Sequence, residues 1–252
     1  MRPPELTDLV GRLRIELGER LAGLYLYGSA VCGGYTDGIS DLDLVAVTAR
    51  AVGDDELAAL AVLHERFAAD HCAWRDRVEV LYLPADELAG FRQRGATGAV
   101  VSPGEPLHRI AVDTAWTTNL YLAAAHGKVL HGPPAERLLP AVAHDEFLAA
   151  VAADLRAAPG RLDGPRERGY HSYGVLTCAR GWATLTTRRH LSKQDAAALA
   201  SAAFPHRSAL LAVALAERQS PDRDRPATPQ AIAASVAFAH ELLVALGLNS
   251  AP

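Results

Sequence analysis

The chain has 252 residues, half of them apolar, with a formal net charge of −4. That supplies a sizeable core for one or two domains, gives no electrostatic footprint for nucleic acid and suits a cationic small substrate. No run is long enough to cross a bilayer, the start MRPPELTDLVGRL lacks a basic-then-apolar leader, and the three cysteines are widely spaced with no Cys-x-x-Cys pair, so a cytoplasmic protein with reduced thiols is expected.

Leu6, Leu9, Val10, Leu13 and Leu17 recur at helical spacing and predict a helix over 6–22. Leu24-Tyr25-Leu26-Tyr27 reads as a short buried strand. Gly28-Ser29 ends it at a strand-to-helix break, where free backbone N–H groups and the Ser29 hydroxyl could bind phosphate oxygens. A glycine-rich loop over 33–38 then leads into Ser40-Asp41-Leu42-Asp43-Leu44-Val45-Ala46-Val47, whose alternation gives way to a continuous apolar run, the pattern of a strand.

On that strand Asp41 and Asp43 share one face about 6.5 Å apart while Leu42 and Leu44 enter the core. Like charges so close repel unless a cation lies between them, and Mg²⁺ favours one or two carboxylates with substrate phosphates. Residues 54–70 form a second amphipathic helix, followed by the strand Arg77-Val78-Glu79-Val80-Leu81-Tyr82-Leu83, in which Glu79 faces away from its flanking valines. If this strand pairs beside the aspartate strand, Glu79 joins Asp41 and Asp43 on one face. Three convergent carboxylates suit a two-metal in-line displacement, with Glu79 either the general base on an acceptor hydroxyl or a further metal ligand. A lone Gly-Ser or Asp-x-Asp means little; the order of all the segments is what points to nucleotide transfer.

After Gly90 the pattern loosens through Gly95, Gly98, Pro103 and Pro106, so a long loop is expected there, then a helix from about Val112 to His126. Beyond Pro133-Pro134 strand signals stop. Helices are expected near 144–157, 170–187, 193–203, 206–218 and 229–246, with breaks at Ala158-Pro159-Gly160 and Pro205. Thr228 followed by Pro229 is a helix start, with threonine as cap and proline at the first position. The fold class is therefore α+β, a small mixed-sheet catalytic domain over 1–138 followed by an all-α helical bundle over 139–252.

The order Leu-Tyr-Gly-Ser-Ala, Ser-Asp-Leu-Asp-Leu and Val-Glu-Val resembles the polymerase-beta-type nucleotidyltransferases, specifically the aminoglycoside (3'') adenylyltransferases that modify streptomycin and spectinomycin. Gly127-Lys128-Val129-Leu130-His131-Gly132-Pro133, the stretch Tyr173 to Trp182 and Leu191-Ser192-Lys193-Gln194-Asp195 extend the likeness over most of the chain. The resemblance implies a Mg²⁺-dependent transfer of AMP from ATP to a hydroxyl of an aminoglycoside-type antibiotic, with pyrophosphate released. It further implies that Ser29, Ser40, Asp41 and Asp43 contact ATP and its metals, that Glu79 is the catalytic base, and that Arg180 and Lys193 reach the phosphates from the second domain. The residues support Lys193 independently. Ser192 reads as a helix N-cap with Asp195 as its capping-box partner, and a lysine in the first turn opposes the helix dipole unless an anion binds there.

A polycationic acceptor needs carboxylates or aromatic faces. Streptomycin-modifying relatives carry an acidic residue five positions before the valine matched by Val175; here that position is Tyr170, and Asp163 and Glu167 lie close enough in sequence to substitute. The expected partners are ATP, Mg²⁺ and a small polycation, with neither a membrane nor nucleic acid, and a monomer is favoured. Rival readings are an adenylyltransferase acting on protein or RNA, a non-catalytic ATP-binding protein, and a ribonuclease, since Arg166 to His171 fits the Arg-x₄₋₆-His spacing found on such bundles.

Overall fold

The computed structural model describes residues 3–220 and 222–248. The chain divides into two compact units, residues 1–143 and 144–252, so the division falls five residues beyond the boundary expected from the sequence. No helix among the described residues is long and apolar enough to cross a membrane.

The first unit is built on a six-stranded sheet of β1 (Leu21–Tyr27), β2 (Leu42–Thr48), β3 (Val78–Pro84), β4 (Ala96–Ser102), β5 (Glu105–Val112) and β6 (Lys128–His131), in spatial order β5-β4-β3-β2-β1-β6. Only β2 and β3 run parallel; the other neighbours are antiparallel, which makes the sheet mixed. A parallel pair needs a crossover, supplied here by helix α3 (Asp54–Asp70).

The period of two along β1 to β3 sorts side chains onto two apolar faces. Leu24, Leu26, Leu42, Leu44, Ala46, Val80 and Tyr82 pack with α3 and with helix α1 (Pro4–Leu17), which buries Leu6, Leu9, Leu13 and Leu17. Tyr25, Tyr27, Val45, Val47, Leu81 and Leu83 pack on the other face with the short helices α4 (Ala85–Leu88) and α5 (Phe91–Arg94) and with α6 (Thr117–His126). The remaining one-turn helix, α2 (Ser29–Cys32), lies between β1 and β2 in sequence. Each buried leucine contributes about 1.5–3 kcal/mol relative to exposure, so two such layers hold the sheet from both sides.

The loop expected after Gly90 is instead α5 and the β4–β5 hairpin, and the following helix begins at Thr117 rather than near Val112. Glycine in this stretch reflects close packing within the sheet: a Cβ on Gly98 would stand 2.8 Å from the Tyr82 carbonyl oxygen and 2.8 Å from Val112 Cγ2.

One core histidine gives the first unit an acid sensitivity. His64, on α3, is buried with Nε2 2.7 Å from the Tyr82 hydroxyl, and burial pushes its pKa down from 6.5 to about 4. The unfolded chain protonates this ring near pH 6.5 and the folded chain only near 4. Stability is therefore complete above about pH 6.5 and declines as pH falls toward 4, by on the order of 3 kcal/mol for this group. The substitution His64→Gln keeps a polar partner for Tyr82 without titrating. The urea midpoint of that variant should fall less between pH 7 and 4.5 than that of the unsubstituted chain; equal falls would assign the acid sensitivity elsewhere.

The second unit is a helical bundle of α7 (His144–Leu162), α8 (Arg168–Thr187), α9 (Lys193–Ala203), α10 (Ser208–Glu217) and α11 (Pro229–Ala245). Its core joins Leu155, Leu176, Trp182, Leu211, Phe238 and Leu242 with the alanine face of α9. No strand is formed among its described residues; one isolated bridge joins Glu167 and Pro226. The break expected at Pro159 is absent, because α7 runs through it to Leu162. Ala158, Pro159 and Leu162 are all buried there, and that packing outweighs the single helical hydrogen bond a proline removes. Thr228 caps α11 as expected, its hydroxyl accepting from the Ala231 amide at 3.2 Å. Thr228→Ala should destabilise the first turn of α11 by about 1 kcal/mol, seen as faster amide hydrogen exchange confined to that turn.

Candidate active site

The carboxylates meet at one end of the second sheet face. The register of β1, β2 and β3 places Tyr27 opposite Asp43 and Asp43 opposite Glu79, so three side chains form a row across neighbouring strands on the side of Val45 and Leu81. Strands about 4.8 Å apart leave about 9.6 Å between β1 and β3, a span that a tyrosine and a glutamate together can bridge. The Tyr27 hydroxyl donates to Glu79 Oε1 at 2.9 Å and accepts from Asn119 Nδ2, on α6, at 2.9 Å. Ser102, at the end of β4, donates to Glu79 Oε2 over a longer 3.4 Å.

Electrostatics in this row follow from burial and like charge. Desolvation raises the Glu79 pKa above the usual carboxylate range and the charge on Asp41 raises it further, while the hydroxyls of Tyr27 and Ser102 oppose the shift. The Tyr27 hydroxyl is held well above its ordinary value, by burial first and then by Glu79 and Asp43, so it stays a donor. A carboxylate whose basicity is raised, beside two others, is suited to taking a proton.

The two segments that carry the aspartates are fixed from outside the row. Gly28, at φ 65° and ψ −149°, turns the chain from β1 into α2, and its carbonyl accepts the amides of Val31 and Cys32. Ser29 and Ala30 then head the turn, where amides have no partner within a helix. Asp43 lies directly against this glycine: a Cβ on Gly28 would collide with Asp43 Oδ2. Arg77 holds the other segment. Its guanidinium stacks on Trp74 with 4.4 Å to the ring centroid and donates to the Ser40 carbonyl at 2.6 Å, while its own carbonyl accepts from the Leu42 amide at 2.9 Å, gripping the chain on both sides of Asp41. Ser40 is buried, and its hydroxyl accepts from the Thr36 amide at 2.9 Å, closing the loop that delivers Asp41.

Among the described residues no group of three or more His, Cys, Asp and Glu side chains is disposed to hold a metal ion by itself. The donors on this face are nonetheless hard carboxylate oxygens, and Mg²⁺ ordinarily takes one or two carboxylates and completes its octahedron with water and substrate phosphate. Asp41 and Asp43 fit that requirement, whereas a cage of protein ligands alone would not be needed.

The other sequence-predicted residues all lie in the second unit. Arg180 is partly buried on α8. Lys193 is the first residue of α9, with its ammonium 3.8 Å from the centre of the Tyr173 ring. Ser192 caps that helix, accepting from the Asp195 amide at 3.0 Å and donating to Asp195 Oδ2 at 2.7 Å, so the capping pair read from the sequence is formed through side chains. Asp163, Glu167 and Tyr170 cluster at the α7–α8 turn and all are exposed. The Tyr170 hydroxyl donates to the Arg161 carbonyl at 3.2 Å, and its ring lines a cavity of about 250 Å³ between α7 and α8, a lining that does not include Asp163 or Glu167. His171 of the Arg166–His171 pair is only 3 % exposed, so its ring is withdrawn from the surface that an RNA phosphate would reach.

Three participants were not singled out from the sequence: Tyr27, Asn119 and Ser102. Tyr27 carried a signal, since it closes an apolar strand immediately before the glycine turn. Asn119 carried a weaker one, a lone amide between two threonines and the apolar run Leu120 to Ala125. Ser102 carried none.

Comparison with known proteins bears on the class. Residues 137–243 match the family model described as aminoglycoside adenylyltransferase, C-terminal domain. The structure matches that of spectinomycin adenyltransferase AAD(9) from Enterococcus faecialis, solved with ATP and spectinomycin, with a TM-score of 0.77 and 18% sequence identity over 96% of this chain and 98% of that one. At that identity the likeness establishes the fold, a mixed-sheet domain followed by a helical one. No curated protein sequence matches the chain. The family likeness is thus carried by residues 137–243, nearly all of them in the second unit.

Proposed function

We propose that this protein transfers AMP from ATP to a hydroxyl of an aminoglycoside-type acceptor and releases pyrophosphate. The observation that carries the reading is the Tyr27–Asp43–Glu79 row, which puts a carboxylate of raised basicity one strand away from an aspartate beside the Gly28-Ser29 turn. The ATP phosphates would lie over Gly28 and Ser29, at the head of a turn with backbone donors and a hydroxyl. Asp41 and Asp43 would hold Mg²⁺, whose chemistry is to neutralise developing charge on the phosphate oxygens. Glu79 would take the proton of the acceptor hydroxyl as that oxygen attacks the α-phosphorus, and the bond to pyrophosphate breaks with its electron pair on the leaving group. Positioning and charge neutralisation supply most of the rate in such a transfer.

Within the second unit, Arg180 on α8 and Lys193, which opens the capped α9 with its ammonium over the Tyr173 ring, are the candidate anion contacts of this reading. Tyr170 supports acceptor binding as an exposed aromatic face, with Asp163 and Glu167 supplying negative charge on the same turn. The likeness of fold to a spectinomycin enzyme solved with ATP, together with the family match over 137–243, supports ATP as the nucleotide and an aminoglycoside as the acceptor class. The test is a screen for pyrophosphate release with MgATP against streptomycin, spectinomycin and other aminoglycosides, with mass detection of the product. A gain of one AMP on at least one compound is expected. Absence of any gain across the panel, with label appearing instead on protein or RNA, would replace this reading by the macromolecular one.

A further inference from the structure

We propose that Asn119 and Tyr27 form a positioning relay that leaves Glu79 Oε2 as the oxygen taking the acceptor's proton, an inference that rests on the adenylyl-transfer reading above. The two oxygens of Glu79 are held unequally. Oε1 accepts from the Tyr27 hydroxyl at 2.9 Å, inside a row whose tyrosine is only 3 % exposed. Among the described residues Oε2 has only Ser102 at 3.4 Å, beyond the usual range for a hydroxyl donor, so that contact gives way to a stronger one at little cost.

Asn119 makes the arrangement directional. A tyrosine hydroxyl has one hydrogen, and it can point to Glu79 or elsewhere. The Asn119 amide, 2.9 Å away, occupies the hydroxyl's acceptor side, so the hydrogen is aimed at Oε1 and the carboxylate plane is fixed about it. Asn119 sits on α6 beside the buried Leu120, Leu122 and Ala123, so the amide is anchored by the same packing that covers this sheet face. Tyr27 and Asn119 are thus positioning residues, not catalytic ones. In the transfer, the acceptor O–H bond breaks as its oxygen bonds to the α-phosphorus, the proton passes to Oε2, and Tyr27 keeps its own hydrogen.

The experiment compares Tyr27→Phe and Asn119→Leu in the unsubstituted chain and in the Glu79→Gln chain, with MgATP and the panel compound that gains AMP, spectinomycin being tried first. Tyr27→Phe should lower kcat about 10- to 100-fold with KM for ATP within about twofold, the range for one hydrogen bond to a charged group, and Asn119→Leu should lower it less. In the Glu79→Gln background neither substitution should reduce the residual rate further, because no base is left to orient. Additive losses in that background would overturn the relay and mark both residues as general packing. An infrared measurement separates the two readings: the carboxylate band that disappears in Glu79→Gln should shift in Tyr27→Phe. If no compound gains AMP, the transfer reading fails and the assignment of Oε2 falls with it; if a compound does gain AMP and the band stays unshifted in Tyr27→Phe, the relay alone is overturned.

Discussion

Glu79→Gln is expected to lower the rate of AMP transfer by about 10²- to 10⁴-fold, the usual contribution of a positioned general base. Glutamine keeps the shape of the side chain and an oxygen to accept from Tyr27, so the sheet and the glycine turn are undisturbed. What it loses is the ability to take a proton at Oε2. The substitution also separates the two roles that the sequence leaves open for this residue. A base acts only in the transition state, so kcat should fall while KM for ATP and the Mg²⁺ concentration for half-maximal rate stay within a few-fold. A metal ligand would instead shift the Mg²⁺ requirement upward. Isothermal titration of MgATP with the variant, set beside its turnover, gives the answer. A variant that retained more than about a tenth of the rate would take Glu79 out of the base role.

The parts legible in the sequence are those set by short-range pattern. The alternation around Asp41 and Asp43, and Glu79 between its valines, fix side-chain direction because the strand period is two, and the structure sets Asp43 and Glu79 opposite each other on neighbouring strands. Cap chemistry was equally readable, with Ser192 and Thr228 both capping the helices that follow them. What stayed hidden depends on contacts far apart in the chain. Glycines at 95 and 98 and prolines at 103 and 106 read locally as a loop, yet they belong to a hairpin whose edge is defined by β3. Pro159 reads as a breaker, yet the packing of α7 carries the helix through it. Asn119 is joined to Tyr27 across 92 residues, and no local rule connects an amide on a helix with a tyrosine that far upstream.

Gly28→Ala should remove activity and stability together, and a second glycine shows why the two losses differ in origin. Gly28 has φ 65° and ψ −149°, a region that residues with a Cβ enter at a cost of about 1–3 kcal/mol. For a chain of this size that is a fall of about 2–12 °C in the thermal midpoint. The added carbon would also collide with Asp43 Oδ2, so the carboxylate must leave its place against the turn. Moving one member of the row separates Asp43 from the turn proposed to hold the phosphates, and a rate loss of at least about 10²-fold is expected from such a misplacement. Gly18→Ala supplies the contrast. Gly18 also has positive φ, 53°, but a Cβ there meets nothing within 4 Å, so that variant should lose stability while retaining turnover. Measured side by side, both variants should melt earlier and only Gly28→Ala should fail to transfer AMP. If Gly28→Ala kept its rate, the contact between Asp43 and the turn would be packing alone, and the phosphate site would have to be sought away from Gly28.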